Sequence, residues 1–217
     1  MLSSFLALSL AALAAPSSQS VLAQLESTSG WSTPSDSSGV MVSTKAVPGL
    51  SVPAYRGTRT VDVSCDAYFV AVADPTRHKA VNSMLLESGV DKKEGEYVVF
   101  HQVLDIPIIS DRYWINRARN QKNLGGVVGH HRQTWSGEPR ESWTALADRI
   151  EADHGAVFVG TNYGFWDLVP TSTGGCTITY AVVSDPGGSL PSGASSWASG
   201  KSLPNNINSF YAAAKGG

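Results

Sequence analysis

The sequence predicts an α+β fold in which an antiparallel sheet is covered by a helix at the C-terminal end. Three observations predict it. A helical pattern comes early, a run of strand patterns with short turns fills the middle, and an amphipathic pattern follows near the end. Strands that are grouped apart from helices are typical of this class. A long antiparallel sheet buries one face, and a single long helix can cover that face.

Residues 1–23 read as an export signal ahead of one domain over residues 24–217. The apolar stretch 5–15 is shorter than the roughly 20 residues that a membrane-spanning helix needs. The small-residue pattern Val21-Leu22-Ala23 predicts cleavage before Gln24, and Ala12-Leu13-Ala14 forms a second site of this kind. No Lys or Arg precedes the stretch, so the alternative is an apolar helix that stays attached.

The composition argues against a nucleic-acid partner and suits a single domain. The chain has 217 residues, with 16 basic and 18 acidic side chains and a pI near 6.2. Such a balanced chain lacks the basic surface that attracts nucleic acid. About 190 residues remain after the leader, which is enough to bury a core and to enclose a cavity.

The first part of the domain combines two strands and a helix. Residues 39–48 and 51–63 have strand patterns, and the second of them alternates between two faces. Ser64 or Asp66 can cap a helix that continues to residue 73. Pro75 then begins a shorter turn, because proline is favoured at the first position of a helix.

Seven strand patterns fill the middle of the chain. They cover residues 84–91, 96–105, 112–121, 126–135, 157–163, 165–169 and 177–184. Turn signals such as "KKEGE", "NLGG" and "TSTGG" separate most of them, which indicates antiparallel strands with short links. One link, residues 136–156, is long, and its stretch 143–148 favours a helical turn.

Residues 191–215 end the domain with an amphipathic pattern. Its apolar side chains have helical spacing, at Trp197, Leu203, Ile207, Phe210 and Tyr211. Gly193, Gly200 and Pro204 weaken or split the predicted helix.

The strand at residues 112–121 presents a face suited to a pocket. Alternation places Trp114, Asn116 and Ala118 on one face of the strand. It places Arg117 and Arg119 on the other face. An aromatic, an amide and a small residue together can line an apolar pocket with one polar anchor. The alternative is ordinary core packing, which the residue types alone favour.

The sequence contains no common catalytic or metal-binding motif. It has no G-x-S-x-G, H-E-x-x-H, C-x-x-C, phosphate-binding loop or G-x-G-x-x-G. His130 and His131 are adjacent in a predicted strand, so their side chains point to opposite faces and cannot share one metal ion. We therefore expect neither a metal nor a cofactor.

The segment "DIPIISDRYWINRAR", residues 105–119, resembles a step of the START (StAR-related lipid transfer) family. That step commonly reads P-x-P-x-S-x-R-D-F. Ser110 and Arg112 match it, Trp114 takes an aromatic strand position, and Tyr113 stands where the family has Asp. "VADPTRHKAVN", "GFWDLVPT" and "YAVVSDPGGSLPS" resemble further family segments in the same order, so the resemblance covers residues 30–215.

The resemblance implies a helix-grip fold with an internal cavity. In this fold a curved antiparallel sheet wraps a long C-terminal helix and leaves a tunnel for one hydrophobic molecule. The link 136–156 has the place of a loop that closes the tunnel, with Trp143, Leu146 and Ile150 at its mouth. The candidate cavity residues are Gln102, Trp114, Asn116, Trp143, Trp166 and Trp197.

The residues that would bind the polar end of the ligand differ from those of sterol-binding family members. Sterol-binding members often carry a buried acid–arginine pair in the tunnel. Here the matching positions fall near Gln102 and Ala118, and neither is charged. Gln102 and Asn116 are therefore the candidates for holding the ligand's polar end.

The resemblance also implies a disulfide between Cys65 and Cys176. An even number of cysteines in an exported protein favours a disulfide. In a helix-grip sheet the strand that ends near Val63 and the strand that begins near Thr177 are antiparallel neighbours. The end of one strand then lies beside the start of the other.

The function implied is that of an exported lipid-binding protein, secreted or periplasmic, that is not an enzyme. It would hold one hydrophobic ligand, with transfer between membranes and transient membrane contact as further expectations. The alternative is a cavity enzyme like the polyketide cyclases of the same superfamily, which needs an acid or base on the inner face. His101 and Asp167 are the nearest candidates for that role. In a third interpretation the protein's own side chains fill the cavity.

Overall fold

A computed structural model describes residues 16–106, 109–187 and 202–216. The strands are β1 (Ser35–Ser37), β2 (Val40–Lys45), β3 (Ala54–Val61), β4 (Leu85–Glu94), β5 (Tyr97–Leu104), β6 (Arg112–Gln121), β7 (His131–Gly137), β8 (Val157–Phe158), β9 (Thr161–Pro170) and β10 (Cys176–Asp185). The α-helices are α1 (Ser18–Glu26), α2 (Cys65–Ala73), α3 (His78–Val81), α4 (Thr144–His154) and α5 (Ser202–Gly216). Short 3-10 turns cover Pro75–Arg77, Leu124–Gly126 and Arg140–Trp143.

The strands form one curved sheet with the order β1-β2-β3-β10-β9-β7-β6-β5-β4. All neighbours along this path are antiparallel, and the short β8 pairs in parallel with β6. The predicted α+β class is therefore confirmed. The sheet is open because β1 and β4 are its two edges.

Several local predictions hold for physical reasons that the structure shows. The Ser64 hydroxyl accepts a hydrogen bond from the Ala67 backbone N–H at 3.2 Å, which caps α2 as predicted. Helix α5 contains Pro204 in its first turn, where a missing N–H costs no helical hydrogen bond. Trp197, Gly193 and Gly200 lie outside the described residues.

Three predicted boundaries are wrong. The predicted strands 157–163 and 165–169 divide differently, since β8 covers Val157–Phe158 and β9 continues through Gly164, which pairs with residues of both β7 and β10. Strand β7 begins at His131, because Gly125, Gly126 and Gly129 in the preceding loop have positive φ angles. The predicted turn at 143–148 is the longer helix α4, which ends at Gly155 in the left-handed conformation.

The two faces of the sheet carry different helices. The inner face packs against α2 and α5, whose buried side chains join an aromatic-rich core. On the outer face, α1 packs with Val21 and Leu25 against β9 and β10. Helix α4 packs with Ala147 and Ile150 against β5 and β6. No helix in the described ranges is long and apolar enough to cross a membrane.

The predicted Cys65–Cys176 disulfide is present. It joins the first residue of α2 to the first residue of β10, with 5.0 Å between the two Cα atoms. The register explains it, because Cys176 pairs with Val61 at the end of β3. The disulfide therefore fastens helix α2 to the middle of the sheet.

Candidate ligand cavity

A cavity of about 530 Å³ lies between the inner face of the sheet and helix α5. Its volume is within the roughly 300–1,000 Å³ that is usual for small-molecule sites. Strands β5, β6, β7, β9 and β10 supply its wall, and α5 covers it. The cavity has the place that the helix-grip prediction gives to the tunnel.

Aromatic side chains form one continuous wall of the cavity. The Trp166 and Tyr180 rings stack with 4.1 Å between their centroids, and Trp135 stacks on Tyr180 at 5.8 Å. Phe210 of α5 meets Trp166 edge to face at 5.5 Å. Burial raises the pKa of Tyr180 to about 12, against a smaller lowering by a hydrogen bond from Asn206. The Tyr180 hydroxyl is therefore neutral at physiological pH.

Gln102 lines the cavity, but its amide is engaged by protein groups. Its Oε1 accepts from the Trp114 indole N–H at 3.0 Å. Its Nε2 donates to His78 Nδ1 at 2.8 Å and to the Ser88 hydroxyl at 3.3 Å. Both N–H donors and one of the two Oε1 lone pairs are used, so Gln102 positions Trp114 and its amide is already satisfied without a ligand.

His78 is neutral in this network. Burial lowers its pKa to about 4, although a hydrogen bond to the Val72 carbonyl and the charge of Asp74 oppose this. Its Nε2 donates to that carbonyl at 3.0 Å, which leaves Nδ1 as the acceptor for Gln102. The sequence does not single out His78, because helix α3 is too short to reveal which of its faces is buried.

Asn116 has the unsatisfied polar atom of the cavity. It is 2% exposed, and its Oδ1 is the one buried side-chain nitrogen or oxygen in the described ranges that lacks a hydrogen-bond partner. A buried acceptor without a partner costs about 1–3 kcal/mol, so a ligand donor would relieve that cost. Of the two candidates for the polar end, Asn116 fits the role and Gln102 does not.

Arg112 also lines the cavity and is only 5% exposed. Its Nε donates to the Pro186 carbonyl at 2.7 Å, and its Nη1 donates to the Ser110 carbonyl at 2.5 Å. From the sequence, Arg112 was identified only as a match to the START step, without a role in the cavity. The missed signal is the alternation of β6, which places Arg112 on the same face as Trp114 and Asn116.

The remaining candidates are distributed between the two faces of the sheet. Trp166 lines the cavity, as do Trp114 and Asn116, whereas Trp197 lies outside the described residues. The prediction that Trp143 lines the mouth is wrong. Trp143 lies on the outer face, where its indole N–H donates to Glu138 at 3.2 Å.

The predicted tunnel loop is on the wrong side for its assigned role. Leu146 and Ile150 of α4 pack against the outer-facing side chains of β5 and β6. The physical reason is that β5 is buried on both faces, so it offers an apolar surface to α4 as well as to the cavity. Local pattern could not decide between these two surfaces.

Neither candidate for an inward acid or base faces the cavity. His101 lies on the outer face, where its ring nitrogens contact Asp91 at 2.9 Å and Glu87 at 2.8 Å. Asp167 also points outward and contacts His130 at 3.0 Å. The described lining residues include no Asp or Glu.

His101 makes stability depend on pH. Burial lowers its pKa, but hydrogen bonds and charges from Asp91 and Glu87 outweigh burial, so the net pKa is raised above 6.5. A histidine whose pKa is higher in the folded than in the unfolded state stabilises the fold when it is protonated. This stabilisation is complete at pH values below the unfolded-state pKa of 6.5, and it is lost as the pH rises through the folded-state pKa.

We expect the stability advantage of the wild-type protein over His101→Gln to be larger at pH 6 than at pH 9. Urea unfolding of both proteins at several pH values measures this difference. Arg149 and His154 also contact Glu87, so both must stay unchanged in the comparison. A difference that is constant across this range would contradict the prediction.

Comparisons with known proteins support the fold. No model of a known protein family matches the chain. An uncharacterized protein of Pseudomonas aeruginosa is 27% identical over 170 residues, which is 75% of each chain. The STAR-related lipid transfer protein of Xanthomonas axonopodis has a TM-score of 0.67 at 21% identity, over 86% of this chain and 99% of that one.

Human STARD10 is similar as well. Its structure has a TM-score of 0.70 at 18% identity, over 89% of this chain and 76% of that one. At these identities the comparisons establish the fold. The chain therefore has the helix-grip fold of the START domains, with an open antiparallel sheet and a helix at the C-terminal end across its inner face.

Proposed function

We propose that this chain of START fold binds one hydrophobic molecule of the lipid class in its cavity. The observation that carries the proposal is the cavity of about 530 Å³ with its wall of stacked aromatic rings. Each methylene group that leaves water for such a site contributes about 0.8 kcal/mol. The similarity to a STAR-related lipid transfer protein supports the same ligand class.

The proposal is of binding without catalysis. An enzyme of the cyclase type would need an acid or base that reaches its substrate. His78 is the described titratable base of the lining, and its two ring nitrogens are occupied by Val72 and Gln102. His101 and Asp167 are separated from the cavity by the sheet. These positions favour a carrier over a catalyst.

Native mass spectrometry of the protein purified from its source tests the proposal. We expect a mass increase that corresponds to one bound molecule, which solvent extraction then identifies as a lipid. Ser209→Trp, on the cavity side of α5, should reduce occupancy. Val70→Trp is the control, because Val70 is 53% exposed on α2. A wild-type protein that carries no ligand and binds no lipid added to it would overturn the proposal.

Asn116→Leu should raise stability and lower affinity at the same time. Removing the unpaired Oδ1 should stabilise the ligand-free protein by about 1–3 kcal/mol. A ligand that donates a hydrogen bond at this position should bind more weakly. Urea unfolding of delipidated protein and titration with long-chain alcohols measure the two effects.

Asn162→Leu is the matched control for this substitution. Asn162 lines the same cavity, but its Oδ1 accepts from the Trp135 indole N–H at 2.9 Å. The same change should therefore destabilise the protein, because it leaves the indole donor unpaired. A stability loss of equal size in both variants would contradict the prediction, because it would show that Asn116 Oδ1 is not an unpaired acceptor.

We also propose export, with transfer of the ligand at membranes. The disulfide supports export, because disulfides persist in oxidising compartments.

Helix α1 spans the predicted cleavage position before Gln24, and its Val21 is buried in the core. Cleavage after Ala14 would leave α1 whole, so we expect an intact mass that lacks residues 1–14. A mass that lacks residues 1–23 would contradict this expectation.

A further inference from the structure

Arg112 is a buried cation with no acidic partner. Residues 1–15, 107–108, 188–201 and 217 contain no Asp or Glu, so every carboxylate side chain of the protein lies in the described ranges. No ion pair of a lysine or arginine among those ranges includes Arg112. Arginine is always protonated in proteins, and a buried charge without a counter-ion is costly.

Backbone carbonyls hold the guanidinium in one orientation. Its Nε is bonded to the Pro186 carbonyl, and its Nη1 contacts the carbonyls of Ser110 at 2.5 Å and Asp111 at 3.3 Å. These carbonyls are neutral dipoles, so they fix the group without cancelling its charge. No hydrogen bond within the described chain involves Nη2. Within the described chain, the two N–H groups of Nη2 are therefore left for a further acceptor.

The surrounding cavity lacks negative charge. The described lining has no Asp or Glu, and its other polar side chains on β5 and β6 are Gln102, Trp114 and Asn116. His78 is neutral at physiological pH. A single positive charge in a cavity without acidic side chains favours an anion and disfavours a cationic group.

We propose that the ligand is an anionic amphiphile whose carboxylate or phosphate pairs with the open Nη2 group of Arg112. This proposal rests on the proposed lipid-binding function and names the headgroup class. Arg112 is the first residue of β6, at its link from β5, and Asn116 lies four residues further along the same face. That separation is about 13 Å, so one ligand could place its anion at Arg112 and a hydroxyl donor at Asn116, with its apolar part along Trp114 and the aromatic wall.

The test compares ligands that share one chain and differ in headgroup. Delipidated protein is titrated with palmitate, hexadecanol and 1-palmitoyl lysophosphatidic acid at neutral pH, and binding is followed by quenching of tryptophan fluorescence. A charge-assisted pair in this site should make at least one anion bind about tenfold or more tightly than hexadecanol. Tightest binding of palmitate would indicate a free fatty acid, and tightest binding of the lysophosphatidic acid would indicate a phosphate headgroup.

Arg112→Gln should remove this preference and leave hexadecanol binding nearly unchanged. Arg117→Gln is the control, because Arg117 lies on the same strand but faces outward, where it contacts Glu94 at 3.0 Å. Arg112→Lys is the second variant, which keeps the charge if the glutamine variant does not fold. It should keep part of the preference for anions.

The outcomes separate this proposal from the one it rests on. Hexadecanol binding as tightly as both anions would overturn the anionic headgroup and leave lipid binding standing. An equal loss for all three ligands in Arg112→Gln would also overturn it, because that pattern indicates a structural role alone. Binding of none of the three to the wild-type protein would overturn both proposals.

Discussion

Reduction of the Cys65–Cys176 disulfide is expected to lower the free energy of unfolding by about 5 kcal/mol. The two cysteines are 111 residues apart, so the cross-link closes a loop that spans about half of the chain. Its removal restores conformational freedom to the unfolded state. A loss of this size is comparable with the whole stability of many domains, so the reduced protein should be marginal at 25 °C.

Urea unfolding with and without a thiol reductant measures the effect. The double variant Cys65→Ala/Cys176→Ala is the control, since it should match the reduced protein and should not respond to the reductant. The described chain has no free cysteine, so the reductant has no other target there. Equal midpoints for the oxidised and reduced wild-type protein would contradict the prediction.

Gly164→Ala is expected to destabilise the protein by about 3 kcal/mol, at the upper end of overpacking effects. A Cβ atom at this position would lie 2.2 Å from the Trp135 ring and 2.5 Å from the Ala181 carbonyl oxygen. Neither group can move freely. The carbonyl belongs to the neighbouring strand β10, and the indole N–H of Trp135 donates a hydrogen bond to Asn162. Any shift of Trp135 would also change the volume of the cavity.

Gly216→Ala provides the matched control for that methyl group. Gly216 is the last residue of α5, and an added Cβ would meet no atom within 4 Å. Its unfolding midpoint should stay close to the wild-type value, while that of Gly164→Ala falls. Equal midpoints in the two variants would contradict the prediction, because they would show that β9 can accommodate a methyl group at position 164.

Both effects concern the part of the fold that shapes the cavity. The disulfide fastens α2 to β10, and α2 in turn supports α5 through a hydrogen bond from the Tyr68 hydroxyl to the Ile207 carbonyl at 3.0 Å. Gly164 allows Trp135 to lie flat against the inner face. Loss of either feature should therefore weaken ligand binding as well as stability.

Much of the inner face follows from local pattern. Alternation along β6 placed Trp114 and Asn116 on the cavity side, and the turn residues separated most of the strands. The pairing of Cys65 with Cys176 came from a resemblance that supplied the strand order, since sequence spacing alone leaves two cysteines free to meet anywhere. The strand and turn predictions succeeded because strand period and turn chemistry depend on neighbours in the sequence.

Other features required the folded chain. Strand β5 is apolar on both faces, so its pattern could not show that α4 and Trp143 lie on the outer side. The sequence suggested Gln102 as a polar group that is free to bind the ligand. Only the contacts from α3, β4 and β6 show that its amide is already hydrogen-bonded within the protein. Arg112 matched the START step, and only the folded chain shows that it is buried and lines the cavity.

Strand period, helix caps and turns can therefore be predicted from the sequence, because each of them depends on residues that are only a few positions apart. Which buried polar group is satisfied and which is left open depends on partners that are far apart in the chain. Asn116 and Arg112 illustrate the difference, because their identities are local facts. Among the described residues, the missing hydrogen-bond partner of Asn116 and the missing counter-ion of Arg112 are properties of the packed sheet and helices around them.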